Sequence, residues 1–483
     1  MKLKELLENI ETLQVDNFSD IEIKHVISDS RENFKNSIFI AVKGFQSDGV
    51  LFAKSAIEHG AVAVVYESQI DDKQDDIVYI KVKDTRLIQS KIASLVYNTP
   101  SNNIRLIGTT GTNGKTSFAY IFRHIINHSK KKCCMIGTTE YDLGKRKFVP
   151  LRTTPDAVFL QRYLKEMVES GCKMAVVEVS SHALALKRVE DVNFDISVYT
   201  NLSQDHLDFH KNIEDYANAK SLLFSDHTNP NGIIILNRDD DHFSLMKSKS
   251  IAEVITYSMI RDDADLFIRN IEHLADGMKI NFKMLEQEFT IVTNLTGDYQ
   301  AYNIAAAVLA SNKIGIKIHD ILSTFKQNIN IPGRMEMIKD EKCKIFIDYA
   351  HTPDALERSL KSIKNFVEKK LITVFGCGGN RDKDKRPQMG KIATEISDHV
   401  IITSDNPRYE DQNEIIASIL KGINTKNYEI IQDRKKAIIA AIDQAEEGDI
   451  IIITGKGHET YQEINGVNYP FSDKKVVEEY NKI

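Results

Sequence analysis

The sequence predicts an α/β protein built from three domains. Its 483 residues suffice for about three domains at roughly 100–200 residues each. Apolar runs of strand length alternate with amphipathic helical patterns along almost the whole chain, the layout of helices packed on a mostly parallel sheet. Two breaks rich in Pro, Gly and Asn divide it, "YNTPSNN" at 97–103 and "IPGRM" at 331–335. The domains expected on this basis are 1–100, 101–332 and 333–483.

The first segment opens on "MKLKELLENIETL", a charged amphipathic helix pattern, and continues through "SIFIAVKG" and "FAKSAIEHGAVAVVYE", which read strand, helix, strand. The second opens on "IRLIGTTGTNGKTSFAYIFRHIINHS", an apolar strand, a Gly-rich turn and a long helix. The strands "KMAVVEVSS", "FDISVYTNLS" and "GIIILNRDDD" follow. The third holds "KIFIDYAHTPDALERSLKSI", "KKLITVFGCGG", "DHVIITSDNPR" and "DIIIITGKGHE". Each apolar run ends in polar, acidic or glycine residues at its C-terminal end. In open α/β sheets ligands bind at that edge, so these strand ends are expected to wall the binding sites.

Bulk properties narrow the function. A formal charge of −6 and a pI near 6.2 argue against a general nucleic-acid binder, which needs a basic field. Mean hydropathy is −0.30, and no apolar run reaches the ~18 residues of a membrane helix. The N-terminal stretch lacks the apolar core of a secretory signal. Five cysteines lie scattered at 133, 134, 172, 343 and 377, with no CxxC pair. Neither a disulfide framework nor a zinc site is expected, and a reducing cytoplasm is the simplest location.

"TTGTNGKTS" (109–117) is the strongest local signal. Gly111 and Gly114 let the backbone approach a polyphosphate, and the N–H groups of Thr112, Asn113 and the residues after them point at it from a helix start. Lys115 neutralises phosphate charge, the Thr116 hydroxyl suits Mg²⁺, and Ser117 follows on the helix. The spacing departs from the standard P-loop, because Thr109 stands where the first glycine is expected. Glu178 ends an apolar strand, where a metal-bound carboxylate belongs beside a phosphate loop; a plain helix-capping acid reads the same way. "NLSQDHLDFH" groups Asp205, His206, Asp208 and His210. By spacing alone Lys220 reads as a surface lysine, and Arg408 as a solvated loop residue paired with Glu410 or Asp411. "FGCGG" lacks the further glycine of a dinucleotide fingerprint, since position 381 is Arg381. The residues so far indicate an Mg-ATP enzyme and leave motor, kinase, switch and ligase chemistries open, with the strand ends of the last domain and the lack of a basic surface favouring a small-molecule substrate.

Taken together, "TGTNGKT", "EVSSHAL", "TNLSQDHLDFH", "PGRME", "DYAHTPDALE", "GCGGNRDKDKRP", "DNPR" and "GKGHE" resemble the Mur ligase family. The shifted loop glycine is that family's own variant. The resemblance implies a central P-loop-type ATP-binding domain, an N-terminal uridine-binding domain and a C-terminal Rossmann-like domain that receives the amino acid. It implies ATP and Mg²⁺ as cofactors and UDP-N-acetylmuramoyl-L-alanyl-D-glutamate as substrate. Neither nucleic acid nor a membrane would be a partner, and the enzyme would be a cytoplasmic monomer. The reaction would run through an acyl phosphate to an amide. Folylpolyglutamate synthase is similar to the ATP core alone.

Residue by residue, Lys115 and Thr116 match the family's phosphate and metal contacts, and Glu178 and His206 its magnesium ligands. Lys220 matches its carbamylated lysine. Arg334 would reach the ATP phosphates from the last domain, and Asn303, Asp348 and His351 match nucleotide-side positions. Ser28, Ser30, Phe45, Gln46 and Ser47 match the uridine pocket. Thr153, Thr154, Ser180 and Arg188 match contacts to the muramyl dipeptide. Arg381, Asp405, Asn406, Pro407, Arg408, Gly455 and Glu459 match the amino-acid pocket. In this family Asp-Asn-Pro-Arg accompanies meso-diaminopimelate, whose distal carboxylate a guanidinium would hold bidentately. Meso-lanthionine presents the same groups, and L-lysine lacks the carboxylate.

Overall fold

The computed structural model describes residues 1–480 except 45–46, 130, 275 and 340–341. Its described residues form three large sheets in chain order and one detached hairpin. Across the first sheet lie Gln14–Asp16, Val78–Lys81, Ala61–Tyr66, Ser37–Ile40 and His25–Ile27, parallel except for the Gln14–Asp16 edge.

The second sheet has a parallel core in the order Leu266–Leu274, Glu253–Ser258, Thr228–Asn237, Phe194–Tyr199, Arg105–Thr110, Met174–Glu178, Cys133–Ile136. Strand Arg105–Thr110 lies between Phe194–Tyr199 and Met174–Glu178. That placement sets the Gly-rich loop, Glu178 and the loop from Thr200 to His206 side by side at one edge. Helix Lys115–His128 follows the loop and buries Phe118, Phe122 and Ile125 in a core with Ile107 and Val176. Gly277–Met284 and Gln287–Thr293 continue the sheet antiparallel. Gln287–Thr293 alternates exposed and buried residues, as a sheet with one wet face does.

The third sheet runs Glu336–Lys339, Lys344–Asp348, Ile450–Thr454, Leu371–Phe375, His399–Ile402, Tyr428–Ile430, antiparallel only at its first edge. Ile450–Thr454 is buried at every position because helices cover both faces. Its end lies between those of Lys344–Asp348 and Leu371–Phe375, so Asp348, Gly376 and Gly455 converge.

Specific contacts join the sheets. From helix Ala157–Glu169, Arg162 pairs with Glu32, donates to the Val26 carbonyl at 2.7 Å and lies 5.1 Å over the Phe34 ring. Asn113 donates to Asp354 at 3.3 Å, and Arg381 approaches Asp208 at 3.7 Å. No helix among the described residues is long and apolar enough to cross a membrane. One cysteine expectation is corrected: Cys134, the second residue of strand Cys133–Ile136, is joined by a disulfide to Cys172. The two are 38 residues apart, and only the fold brings their Cα atoms to 6.5 Å. Cys133, Cys343 and Cys377 are buried.

Candidate active site

The phosphate loop depends on its glycines. Gly111 (φ +152°) and Gly114 (φ +89°) both have positive φ. A Cβ on Gly111 would lie 1.9 Å from Thr200 Oγ1, and one on Gly114 would lie 2.5 Å from Asn303 Oδ1. The loop is tied to the neighbouring strand end: Thr112 N donates to the Asn201 carbonyl at 2.8 Å, and Asn113 N to Asn201 Oδ1 at 3.0 Å. Lys115 Nζ folds over the loop onto the carbonyls of Gly111 (2.8 Å) and Thr112 (2.9 Å). Burial lowers its pKa. Beside the loop a cleft of about 950 Å³ is lined by Asn113, Ser117, Asn303, Arg334 and Asp348.

Arg334 enters from the last sheet's side. Its guanidinium lies 4.5 Å over the Tyr349 ring, and Nη2 reaches Thr116 Oγ1 at 3.5 Å. Asp348 holds the segment behind it by accepting the N–H groups of Met335 and Ala350, both at 2.8 Å. Burial raises the Asp348 pKa. Glu178 is fully buried; Oε2 accepts the hydroxyls of Thr116 (3.0 Å) and Thr138 (2.8 Å), and Oε1 the Thr138 N–H (3.1 Å).

His206 stands 3.4 Å from Asp205 and edge-on to His182 at 4.8 Å. Burial is the first cause that moves its pKa down, to about 3, so the imidazole is neutral. Lys220 is not a surface residue. It is 1% exposed, donates to the Gly111 carbonyl at 2.9 Å and lies 4.3 Å over the Tyr216 ring. Burial, then the nearby Lys115, pushes its pKa well below the usual lysine range.

Among the described residues no cluster of three or more His, Cys, Asp or Glu forms a ready metal cage. Thr116, Glu178, His206 and Lys220 fit a different demand. Mg²⁺ takes one or two carboxylates and completes its shell with phosphate oxygens and water. The Thr116 hydroxyl touching the buried Glu178 carboxylate supplies oxygens of that kind, His206 is a neutral imidazole, and Lys220 would supply an oxygen only as a carbamate, which a poorly protonated amine can form.

Next to Glu178, Thr154 Oγ1 donates to the Glu178 carbonyl at 2.8 Å and accepts the Ser180 N–H at 3.1 Å. Thr153 meets Thr138 at 3.1 Å, and Arg188 donates to the Thr154 carbonyl at 3.3 Å. These four residues therefore form one wall beside Glu178. Ser28 and Ser30 follow strand His25–Ile27 and are half-buried, and Ser47 is exposed. Phe45 and Gln46 lie outside the described residues.

A second cleft of about 750 Å³ is lined by Arg381, Asp405, Asn406, Arg408, Gly455 and Glu459, with His206 at its boundary. His351 lines this cleft, not the one beside the phosphate loop, because its Nδ1 turns back to the Tyr349 carbonyl at 2.8 Å. Gly455 (φ +106°) has no room for a Cβ, which would meet Asp405 Oδ2 at 2.7 Å. The Pro407 carbonyl packs on Gly379, where a Cβ would come within 1.9 Å. Asn406 Nδ2 donates to Glu459 Oε2 at 2.8 Å, and burial raises the Glu459 pKa.

Arg408 pairs with neither acid beside it. Its Nε donates to Glu463 at 3.1 Å and its Nη1 to the Gly379 carbonyl at 2.7 Å. Nor is Glu410 merely solvated. It accepts from buried Arg386 at 3.1 Å and from the Asn380 N–H at 2.5 Å, and the Arg386 hydrogen bond is the main cause holding its pKa near 2. Asp411 caps helix Gln412–Leu420.

Comparison with known proteins matches this arrangement. Residues 22–97 match the description "Mur ligase family, catalytic domain", 109–311 "Mur ligase middle domain" and 333–457 "Mur ligase, glutamate ligase domain". The UDP-N-acetylmuramoyl-L-alanyl-D-glutamate--2,6-diaminopimelate ligase of Aquifex aeolicus is 44% identical over 95% of this chain and 93% of its own. That of Clostridioides difficile is 41% identical over 99% of both. The chain belongs to the Mur ligase family.

A solved ligase of the same description covers 100% of the chain and 99% of its own at 32% identity and a TM-score of 0.71. Mycobacterium tuberculosis folylpolyglutamate synthase covers 76% of the chain and 92% of its own, at 17% identity and a TM-score of 0.64. At that identity the likeness is one of fold. Within the Mur ligase frame, sequence reasoning passed over Asn201, Thr138, Lys456 and Glu463. Asn201 and Lys456 lie inside quoted motifs; Thr138 and Glu463 carry no local signal, since their partners are distant in the chain.

Proposed function

We propose that the protein is an ATP-dependent ligase that joins meso-diaminopimelate to UDP-N-acetylmuramoyl-L-alanyl-D-glutamate in the cytoplasm, in peptidoglycan synthesis. One observation carries the reading: a single cleft is lined by the Arg408 guanidinium, by the carboxylates of Asp405 and Glu459, and by His206. A diamino diacid offers the matching charges. L-Lysine would leave Arg408 without a partner for its remaining N–H groups. Meso-lanthionine satisfies the same contacts, so it stands as the second reading.

The side-chain carboxylate of the D-glutamate attacks the γ-phosphorus of ATP, and ADP leaves with the electrons of the broken P–O bond. The amine of the diacid then attacks the acyl carbon. The tetrahedral adduct expels phosphate and the nitrogen loses a proton, leaving an amide. Lys115 and Arg334 gather the crowded phosphate charge, and the loop N–H groups of 111–117 orient it. Thr153, Thr154, Ser180 and Arg188 hold the acceptor peptide beside Glu178, while Ser28, Ser30 and Ser47 receive its uridine end. When bound through Thr116, Glu178, His206 and a carbamate on Lys220, Mg²⁺ would neutralise phosphate charge. Asp405 and Glu459 receive the ammonium groups of the diacid, and Asn406 holds Glu459 in place. Catalysis is then mostly positioning of reactants that are poor until brought together.

Purified protein is expected to release phosphate from ATP only when both the UDP-linked dipeptide and meso-diaminopimelate are present, with a product heavier by one diacid residue. Turnover with L-lysine equal to that with meso-diaminopimelate would refute the diacid reading. Absence of turnover with any amino acid would refute the ligase.

A further inference from the structure

Arg408 adopts φ +53°, a left-handed conformation rarely used by residues with a side chain. A hairpin formed by Tyr461–Ile464 and Val467–Pro470 holds it there. Arg408 N donates to the Glu463 carbonyl at 3.1 Å, and Asn465 N donates to the Arg408 carbonyl at 2.7 Å. The Glu463 carboxylate then takes the guanidinium through Nε at 3.1 Å. The same hairpin grips the preceding residues: Glu463 N donates to Asn406 Oδ1 at 3.0 Å, and Gln462 Nε2 to the Asp405 carbonyl at 2.6 Å. Among the described residues the hairpin joins no other sheet, and its outer strand is exposed throughout. Its bonds to Asp405, Asn406 and Arg408 tie it to the amino-acid cleft.

We propose that Glu463, carried on this hairpin, is a positioning residue for diacid specificity, aiming the Arg408 guanidinium at the distal carboxylate of the incoming amino acid. The inference rests on the ligase reading above. A guanidinium has five N–H donors. Nε is spent on Glu463, and one N–H of Nη1 is spent on the Gly379 carbonyl. One N–H of Nη1 and both of Nη2 remain, so the terminal edge receives the carboxylate. Fixing the fork beforehand removes an ordering cost from binding. Lys456, fully buried, braces the same loop: its Nζ donates to Asn406 Oδ1 at 2.8 Å and Glu459 Oε2 at 2.9 Å. A plain surface ion pair would contribute little. Glu463 differs because its N–H, carbonyl and carboxylate all engage the one loop.

The test compares the wild type with Glu463→Ala, Glu463→Gln and Glu463→Lys, varying meso-diaminopimelate, L-lysine and ATP separately in the phosphate-release assay. Glu463→Ala is expected to raise the KM for meso-diaminopimelate about 5- to 20-fold. The KM for ATP should hold, and the preference for the diacid over L-lysine should narrow. Glu463→Gln, which still accepts the Nε–H, should recover most of the loss. Glu463→Lys, which reverses the charge beside Arg408 but keeps the hairpin's backbone bonds, should lose more; it serves if Glu463→Ala fails to fold. An unchanged diacid KM in Glu463→Ala or Glu463→Lys, or an equal loss for diacid, L-lysine and ATP, overturns the inference while the wild type still works. A wild type without diacid-dependent release overturns the ligase reading itself, and this inference with it.

Discussion

At the scale of single residues, two cations owe their chemistry to their surroundings. Lys220 has almost no access to water and faces a second cation, Lys115, so its ammonium form is disfavoured. A neutral amine is what carbamylation by CO₂ requires. Supplying ¹³C-bicarbonate is therefore expected to give a carbamate carbon signal in the wild-type protein that vanishes in Lys220→Ala; the same spectrum in both would end that reading. Arg408 has a pre-set direction, fixed by Glu463 and the Gly379 carbonyl. Arg408→Ala is expected to weaken diacid binding by about 2 kcal/mol or more, roughly thirtyfold in KM, with the KM for ATP steady. Equal diacid KM values in variant and wild type would remove Arg408 from the site.

At the scale of elements, the last sheet's ligand edge is braced from behind. Arg434, on helix Arg434–Gln444, and Asp473, on helix Asp473–Tyr480, form a fully buried pair at 2.7 and 2.8 Å. Arg434 also donates to the Thr454 carbonyl at 2.8 Å, next to Gly455. A buried pair contributes little net stability when intact, but losing one partner strands a charge. Asp473→Ala is expected to cost about 3–5 kcal/mol in urea unfolding. A loss within the ordinary surface range of about 0.5 kcal/mol would contradict the bracing role. The helical patterns here were legible in the sequence, but the capping roles of Asp433 and Asp411 came only with the structure, since the local sequence offered Asp411 as a partner for Arg408. The antiparallel strands Gly277–Met284 and Gln287–Thr293 and the hairpin of Tyr461–Ile464 and Val467–Pro470 were not legible, because an alternating strand does not identify its partner.

At the scale of the whole molecule, burial keeps neutral both His351, in the second cleft, and His458, whose ring lies 5.1 Å from that of Tyr349. His351 is depressed to about 4 and His458 to about 3 from an ordinary value of 6.5, in both cases chiefly by loss of water. Below pH 6.5 the unfolded chain binds protons that the folded chain refuses, so stability falls as pH drops. Carboxylates that are stabilised in the fold add their own loss only below about pH 5. The expected signature is a decline of unfolding free energy already between pH 6.5 and 5, reduced in His351→Gln. A flat profile across that interval would show that these imidazoles are not desolvated.

The sequence by itself determined the alternation of strand and helix, the Gly-rich loop and the polar strand ends, because all three are written in neighbouring residues. It also carried enough motif order to place the chain among the Mur ligases. Only the tertiary structure decided that Lys220 is buried, that Cys134 meets Cys172, that His351 faces the amino-acid cleft and that Glu463, not Glu410 or Asp411, pairs with Arg408. The physical reason is common to all four. Burial, pairing and charge compensation depend on which strands lie side by side, and a chain's local pattern sets the period of each strand but not its neighbour.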